Sequence, residues 1–206
     1  MSRAQKLAEA LDESAPRPRR GRPVSLQSRR AVLAATVELL DERGFAGFTV
    51  DEAARRSGVS KATIYKHWTG GFDLAVDAYG DRVTDAVPVV VTGDAIGDLT
   101  DQIVRLAEFY ATPHGRVVAQ LLAAGTWHDG GSALLRDKFF GKSRSATAVL
   151  IERGKADGQL RADLDTELAI DLLFGAIVFR LLNSDDGLDR DSAARLAKMA
   201  LRSIAA

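Results

Sequence analysis

The chain has 206 residues and carries 28 Lys/Arg against 28 Asp/Glu, so its formal net charge is zero. It has no cysteine and only three scattered histidines (His67, His114, His128), which excludes disulfides, thiol chemistry and a histidine-based metal motif. No apolar run is long enough to span a bilayer and the first residues lack the apolar stretch of a secretory leader, so no membrane partner is expected and the chain reads as cytoplasmic.

The neutral total hides a split. Residues 17–68 hold 11 Lys/Arg against 5 Asp/Glu; residues 1–16 hold 2 against 3, and residues 69–206 hold 15 against 20. Such a split fits an anionic partner for one end only, or helices charged merely to stay solvated.

Residues 1–14 read either as a short amphipathic helix, with Leu7 and Leu11 one turn apart, or as a frayed terminus. Residues 15–23, "APRPRRGRP", place Arg17, Arg19, Arg20 and Arg22 among Pro16, Pro18, Gly21 and Pro23. Proline fixes φ and removes donors, so this piece is expected to be extended. Residues 1–24 are therefore taken as a basic arm. Arg20-Gly-Arg22-Pro23 resembles the core of an AT-hook, whose arginines favour narrow minor grooves; a basic leader with non-specific attraction is the other reading.

Helical periodicity then begins. Ser25 suits an N-cap, and Val32, Leu33, Thr36, Val37 and Leu40 fall at helical spacing over residues 26–43. Gly44 stands where a C-cap glycine belongs. After the short Phe45-Ala-Gly-Phe48 connection, Thr49 and Glu52 form a capping box that opens a second helix over residues 50–57. Gly58 turns the chain, and Ser60 caps a third helix over residues 61–67. Beyond Gly70-Gly71 the pattern predicts helices at 72–87, 95–111, 115–126, 131–157, 165–183 and 190–204. Residues 87–92 alternate weakly, but Pro88 and the lack of a partner strand argue against a sheet. The predicted fold class is all-α.

Residues 49–68, "TVDEAARRSGVSKATIYKHW", carry the informative pattern: helix, tight glycine turn, helix. Ala53 and Ala54 let two helices cross closely, Val59 plugs their angle, and Ile64 points inward. Lys61, Thr63, Tyr65, Lys66 and His67 are then left largely outside, on a helix of the kind that fits the major groove. Read alone, such a pattern is also compatible with a plain αα-hairpin.

With its flanks, the segment resembles the N-terminal domain of the TetR family of transcriptional regulators. The likeness covers about residues 25–80: Gly44-Phe45-x-x-x-Thr49, the turn Ser57-Gly58-Val59-Ser60, and Lys61-x-Thr63-x-Tyr65-x-x-Trp68. Residues 154–182 add a weaker likeness to one branch. The resemblance implies a helix-turn-helix DNA-binding domain at 25–70 and a helical ligand-binding and dimerisation domain at 71–206. It implies a double-stranded, palindromic DNA operator, a small-molecule effector of unknown class, and a homodimer through the last two helices, about 165–204. Thr49, Lys61, Ala62, Thr63, Tyr65, Lys66 and His67 become the DNA-facing set, joined by Arg20 and Arg22 of the arm. Thr49, Tyr65 and His67 are assigned to phosphates, Lys61 and Thr63 to base edges. One departure stands out: Gly71 occupies the place of a family lysine that holds a phosphate.

Effector contacts are less legible. Phe109, Tyr110, Trp127, Phe139, Phe174 and Phe179 either line a pocket or belong to the core. Gln120, Thr126, His128 and Arg180 are polar residues within or beside apolar runs, where burial demands partners. Arg180 faces an anionic effector, pairs with Asp171, or snorkels to solvent. His114 and His128, near helix ends, are expected at the surface. Leu168, Leu172, Ile177, Leu196 and Leu201 are candidates for burial between subunits or within one. No glycine-rich phosphate loop, G-x-S-x-G or H-E-x-x-H is present, so no enzyme, cofactor or metal is expected. The expectation is a repressor released by a small molecule; the alternative is a constitutive DNA-binding regulator without an effector.

Overall fold

The computed structural model describes residues 26–183 and 188–206, and these are all-α. Helix α1 spans Leu26–Arg43, and a 3-10 turn follows at Phe45–Gly47. Helices α2 (Val50–Ser57) and α3 (Lys61–Ile64) complete the N-terminal unit. The body comprises α4 (Gly71–Ala86), α5 (Ala95–Tyr110), α6 (Pro113–Gly125), α7 (Gly131–Leu134), α8 (Gly141–Ala156), α9 (Thr166–Leu182) and α10 (Arg190–Leu201).

Among the described residues, side-chain caps account for half of the ten helix starts. Thr49, Ser60, Asp94, Asp165 and Asp189 each accept the N–H three residues on, satisfying a donor the helix cannot use itself. Gly58 ends α2 at φ 69°, the left-handed region where a side chain would be strained. One apolar core runs through the molecule, from Val32 and Leu39 in α1 through Leu74, Ile103 and Leu121 to Ile177 and Ile204. Helix α4 is its spine. Phe72, Leu74, Ala75, Val76, Ala78, Tyr79 and Val83 are all buried, so α4 packs on α1 at one end and on the body at the other. Gly80 permits a close crossing: a Cβ there would lie 2.9 Å from the Lys138 carbonyl oxygen.

The structure departs from the sequence reading in three places. The helix expected over 131–157 is interrupted by a π-helical turn, Leu135–Phe139, and resumes at Gly141. Leu135 and Phe139 are both buried there, so packing side chains inward overrides regular hydrogen bonding. The third helix is one α-turn, and residues 65–67 continue as turns rather than helix. The last helix ends at Leu201; the chain then folds back, and Ile204 accepts the Arg161 N–H while Ala206 donates to Gln159. Among the described residues no helix is long and apolar enough to cross a membrane.

Candidate nucleic-acid interface and helical cavity

The N-terminal unit is built to hold one short segment outward. Ile64 and Trp68 are buried anchors on α3 and just past it. The Trp68 Nε1–H donates to Asp77 Oδ2 at 2.8 Å, and Arg29 Nη2 donates to the same oxygen at 2.6 Å. Helices α1 and α4 therefore clamp the end of the segment through one carboxylate. At its start, Ser60 accepts the Thr63 N–H and its hydroxyl donates to Thr63 Oγ1 at 2.9 Å.

Between those anchors Lys61, Ala62, Tyr65, Lys66 and His67 are exposed, and Thr63 is half-buried. Lys61 Nζ lies 2.6 Å from Asp51 Oδ2, which brings the first turns of α2 and α3 together, next to the exposed N-cap Thr49. That pair is exposed at both ends, so it is worth at most about 1 kcal/mol and yields readily to a stronger anion. Arg20 and Arg22 lie outside the described residues. A carboxylate network stiffens the unit behind this surface. Glu52 takes two hydrogen bonds from Arg55, at 2.9 and 2.6 Å, and these, with nearby Arg43 and Arg56, hold its carboxyl down to about 2. Arg56 donates to both oxygens of Glu42. The cations of α2 are therefore paired behind the surface that Lys66 and His67 leave open.

At Gly71, an added Cβ would sit 3.5 Å from Phe48 and Val50, an ordinary contact. Space does not dictate this glycine.

The body holds a cavity of about 340 Å³ bounded by α4, α5, α8, α9 and the π turn. Val83, Val87, Leu106, Phe139, Phe140, Ile170, Phe174 and Val178 supply its apolar wall; Thr84, Gln102, Tyr110, Ser143, Thr147, Arg144 and Asp171 supply its polar atoms. Of the candidate effector residues, only Tyr110, Phe139 and Phe174 line it. The others lie outside its lining. Gln120 is exposed, and its Oε1 accepts the Phe45 N–H at 2.7 Å, tying α6 to the N-terminal unit. Trp127 is 88% exposed. His128 is exposed but stacks on Phe72 at 4.3 Å, and Thr126 bonds its own helix at Ala123. Phe109 stacks on His114 instead of facing the cavity. Arg180 is half-buried outside the lining, and the Asp171 proposed for it pairs with Arg144 at 2.7 Å.

His114 is not simply at the surface. Its Nδ1 lies 2.9 Å from Asp41 Oδ1 and 3.1 Å from the Tyr79 hydroxyl, and its Nε2 lies 3.1 Å from Arg82. Among the dimer candidates, Ile177 and Leu201 are buried inside the subunit, and Leu196 is half-buried. Leu168 (67%) and Leu172 stay exposed on α9, joined by Phe179 (68%), read from the sequence as a pocket or core aromatic, and by Leu182, which the sequence reading missed. Gln102, Thr147 and Arg144 were also missed. Their only sequence signal is a polar residue at an otherwise apolar helical position.

Comparison with known proteins fits this geometry. Residues 32–71 match the family described as bacterial regulatory proteins, tetR family, and residues 89–200 match the tetracyclin repressor-like C-terminal domain. The chain is 36% identical to YdeS, an uncharacterized HTH-type transcriptional regulator of Bacillus subtilis, over 91% of this chain and 95% of the relative. It is 29% identical to the HTH-type transcriptional repressor Rv3405c of Mycobacterium tuberculosis, over 77% of each chain. The crystal structure of the TetR family transcription regulator SCO0332 superposes with a TM-score of 0.77 at 33% identity, covering 85% of this chain and 97% of that one. The chain belongs to the TetR family of transcriptional regulators.

Proposed function

We propose that the protein is a homodimeric repressor that holds a palindromic operator and leaves it when a small molecule enters the cavity. The observation that carries this reading is the course of α4. Its first half holds the exposed recognition segment through Asp77 and Trp68; its last turns, at Val83 and Thr84, line the cavity. One rigid element therefore touches both places, as coupling between two sites requires. Thr49, Tyr65 and His67 take phosphates; Lys61 and Thr63 read base edges, with Ala62 and Lys66 beside them. Residues 25–70 act as the reading head and 71–206 as the sensing and pairing body.

The exposed face of α9 supports the dimer reading. Leu168, Leu172, Phe179 and Leu182 form an exposed apolar stripe, joined by Met199 of α10. Such a stripe suits a second copy of itself, and two-fold pairing sets two recognition segments on successive major grooves. A relative of this chain is called a repressor, which supports that direction of control.

The test is footprinting of the DNA flanking the protein's own gene. Two protected half-sites about one helical turn apart are expected. The reading fails if no protected palindrome appears and substituting Lys61 and Tyr65 leaves DNA affinity unchanged.

A further inference from the structure

The polar atoms around the cavity are unequally available. Thr84, Ser143 and Thr147 each donate their hydroxyl hydrogen to a carbonyl of their own helix or the preceding turn: Gly80 at 2.9 Å, Phe140 at 3.0 Å and Ser143 at 2.8 Å. Gln102 donates to the Val87 carbonyl and accepts from Arg105. The two charged groups close on each other: Arg144 donates to Glu167 at 2.5 Å and to Asp171 at 2.7 Å.

Tyr110 differs. The residue is 4% exposed, yet its hydroxyl has no hydrogen-bond partner among the described residues. Among the described residues no polar side-chain atom sealed in the interior lacks a partner, so this oxygen meets open space, and its residue lines the cavity. Burial pushes its ionisation well up, so it stays a neutral O–H donor. The cavity thus offers an apolar wall, one uncommitted hydroxyl donor and no uncommitted charge. An anionic ligand would have to compete with two carboxylates for Arg144, and a cationic one with Arg144 for Asp171.

We propose that the cavity takes an uncharged, mainly apolar molecule with one hydrogen-bond acceptor, such as a ketone, ester or ether, which receives the Tyr110 O–H. This rests on the effector reading above and specifies its chemistry.

Four probes sharing one phenylalkyl skeleton test it by calorimetry on the full chain: benzylacetone (ketone), butylbenzene (apolar), hydrocinnamate (anion) and phenylpropylamine (cation). Benzylacetone is expected to bind about three- to tenfold tighter than butylbenzene, the net worth of one hydrogen bond. The two ions are expected to bind more weakly than either. Tyr110→Phe keeps the ring and brings benzylacetone and butylbenzene to parity, with the affinity for butylbenzene unchanged. The assignment is overturned if either ion matches benzylacetone, if Tyr110→Phe preserves the ketone's advantage, or if none of the four binds. Operator release separates this from the broader reading. If some other small molecule releases DNA equally from wild type and Tyr110→Phe, the effector reading stands and the ligand class fails. If DNA binding is indifferent to every compound tried, the effector reading itself fails.

Discussion

Asp41 and Tyr79 join two parts of the molecule through a single oxygen. The Tyr79 hydroxyl donates to Asp41 Oδ1 at 2.7 Å, and His114 Nδ1 lies 2.9 Å from the same atom. Helices α1, α4 and α6 therefore meet at one carboxylate. Tyr79 is fully buried, and burial together with the Asp41 bond pushes its ionisation far up, so it is a neutral donor. Asp41→Ala should destabilise the chain by about 1–3 kcal/mol, because it strips the charged acceptor from a buried hydroxyl. Tyr79→Phe should cost about 1 kcal/mol. Urea melts of both single variants and the double variant check the joint: coupled residues give a double variant less destabilised than the sum. Simple additivity would remove the joint as an explanation.

Lys61 is held by Asp51 in the free protein, so two substitutions should act in opposite directions. Asp51→Asn frees the ammonium and should tighten operator binding severalfold at low salt. Lys61→Met should cost roughly 1–3 kcal/mol of operator affinity and relax preference at one base position, as loss of a base contact does. Gel-shift titrations against the operator and single-base variants measure both. Uniform weakening across all sequences would reassign Lys61 to a phosphate.

Salt dependence reports on two further features. Deleting residues 1–22 removes Arg17, Arg19, Arg20 and Arg22 and should weaken operator binding and flatten its salt slope, with dimerisation unchanged. Gly71→Lys fits beside Phe48 and Val50 and should steepen the slope by about 0.9 if the new ammonium reaches a phosphate. Affinities measured across a range of salt concentrations decide each case. A truncated chain with full affinity would remove the arm from the interface.

The α9 stripe predicts the oligomeric state. Phe179→Glu and Leu172→Glu place charge on exposed positions, so the subunit should keep its helicity and thermal transition. Sedimentation should show the pair of substitutions producing monomers, and operator affinity should fall at least tenfold. Dimers that survive both charges would put the interface elsewhere.

Asp73 gives a pH prediction. Burial raises its carboxyl, but Lys138 at 2.5 Å and two hydrogen bonds from Thr69 outweigh that and hold it below the ordinary aspartate value. A depressed folded-state value stabilises the fold above the unfolded aspartate value of about 3.9, and that contribution is lost as pH falls through the folded value. Lys138→Met should therefore lower stability at neutral pH by about 1–3 kcal/mol, with the gap to wild type closing in acid. Denaturant midpoints from neutral pH down to the acid limit give the comparison; a constant gap would mean Lys138 acts through packing alone.

What the sequence showed well was local. Thr49, Gly58 and Ser60 act on residues three or fewer positions away, so their spacing marks where two helices and the turn between them begin and end. The interruption at Leu135–Phe139 was not legible, because it accompanies the burial of Leu135 and Phe139 and a close crossing with Gly80 of α4, about 55 to 60 residues earlier in the chain. The Asp41 joint links residues 38 and 73 positions apart, and the cavity draws on four helices and the π turn; no window of sequence holds either. Arg180 and Gln120 misled for a shared reason. A polar residue in an apolar run signals burial only where the whole run is buried, but α9 is apolar on its outward face too, and Gln120 reaches sideways to another unit's backbone.

Gly80 has a mechanical consequence. Its contact with the Lys138 carbonyl pins α4 near its middle, with Gly71 nine residues to one side and Ala86 six to the other. At the rise of an α-helix these arms measure about 13 and 9 Å. A helix tilting about such a fulcrum moves its ends in opposite directions, the longer arm sweeping about one and a half times as far. A molecule wedged at Val83 and Thr84, three and four residues beyond Gly80, would thus be read out, inverted, at Asp77, three residues before it, and so at Trp68.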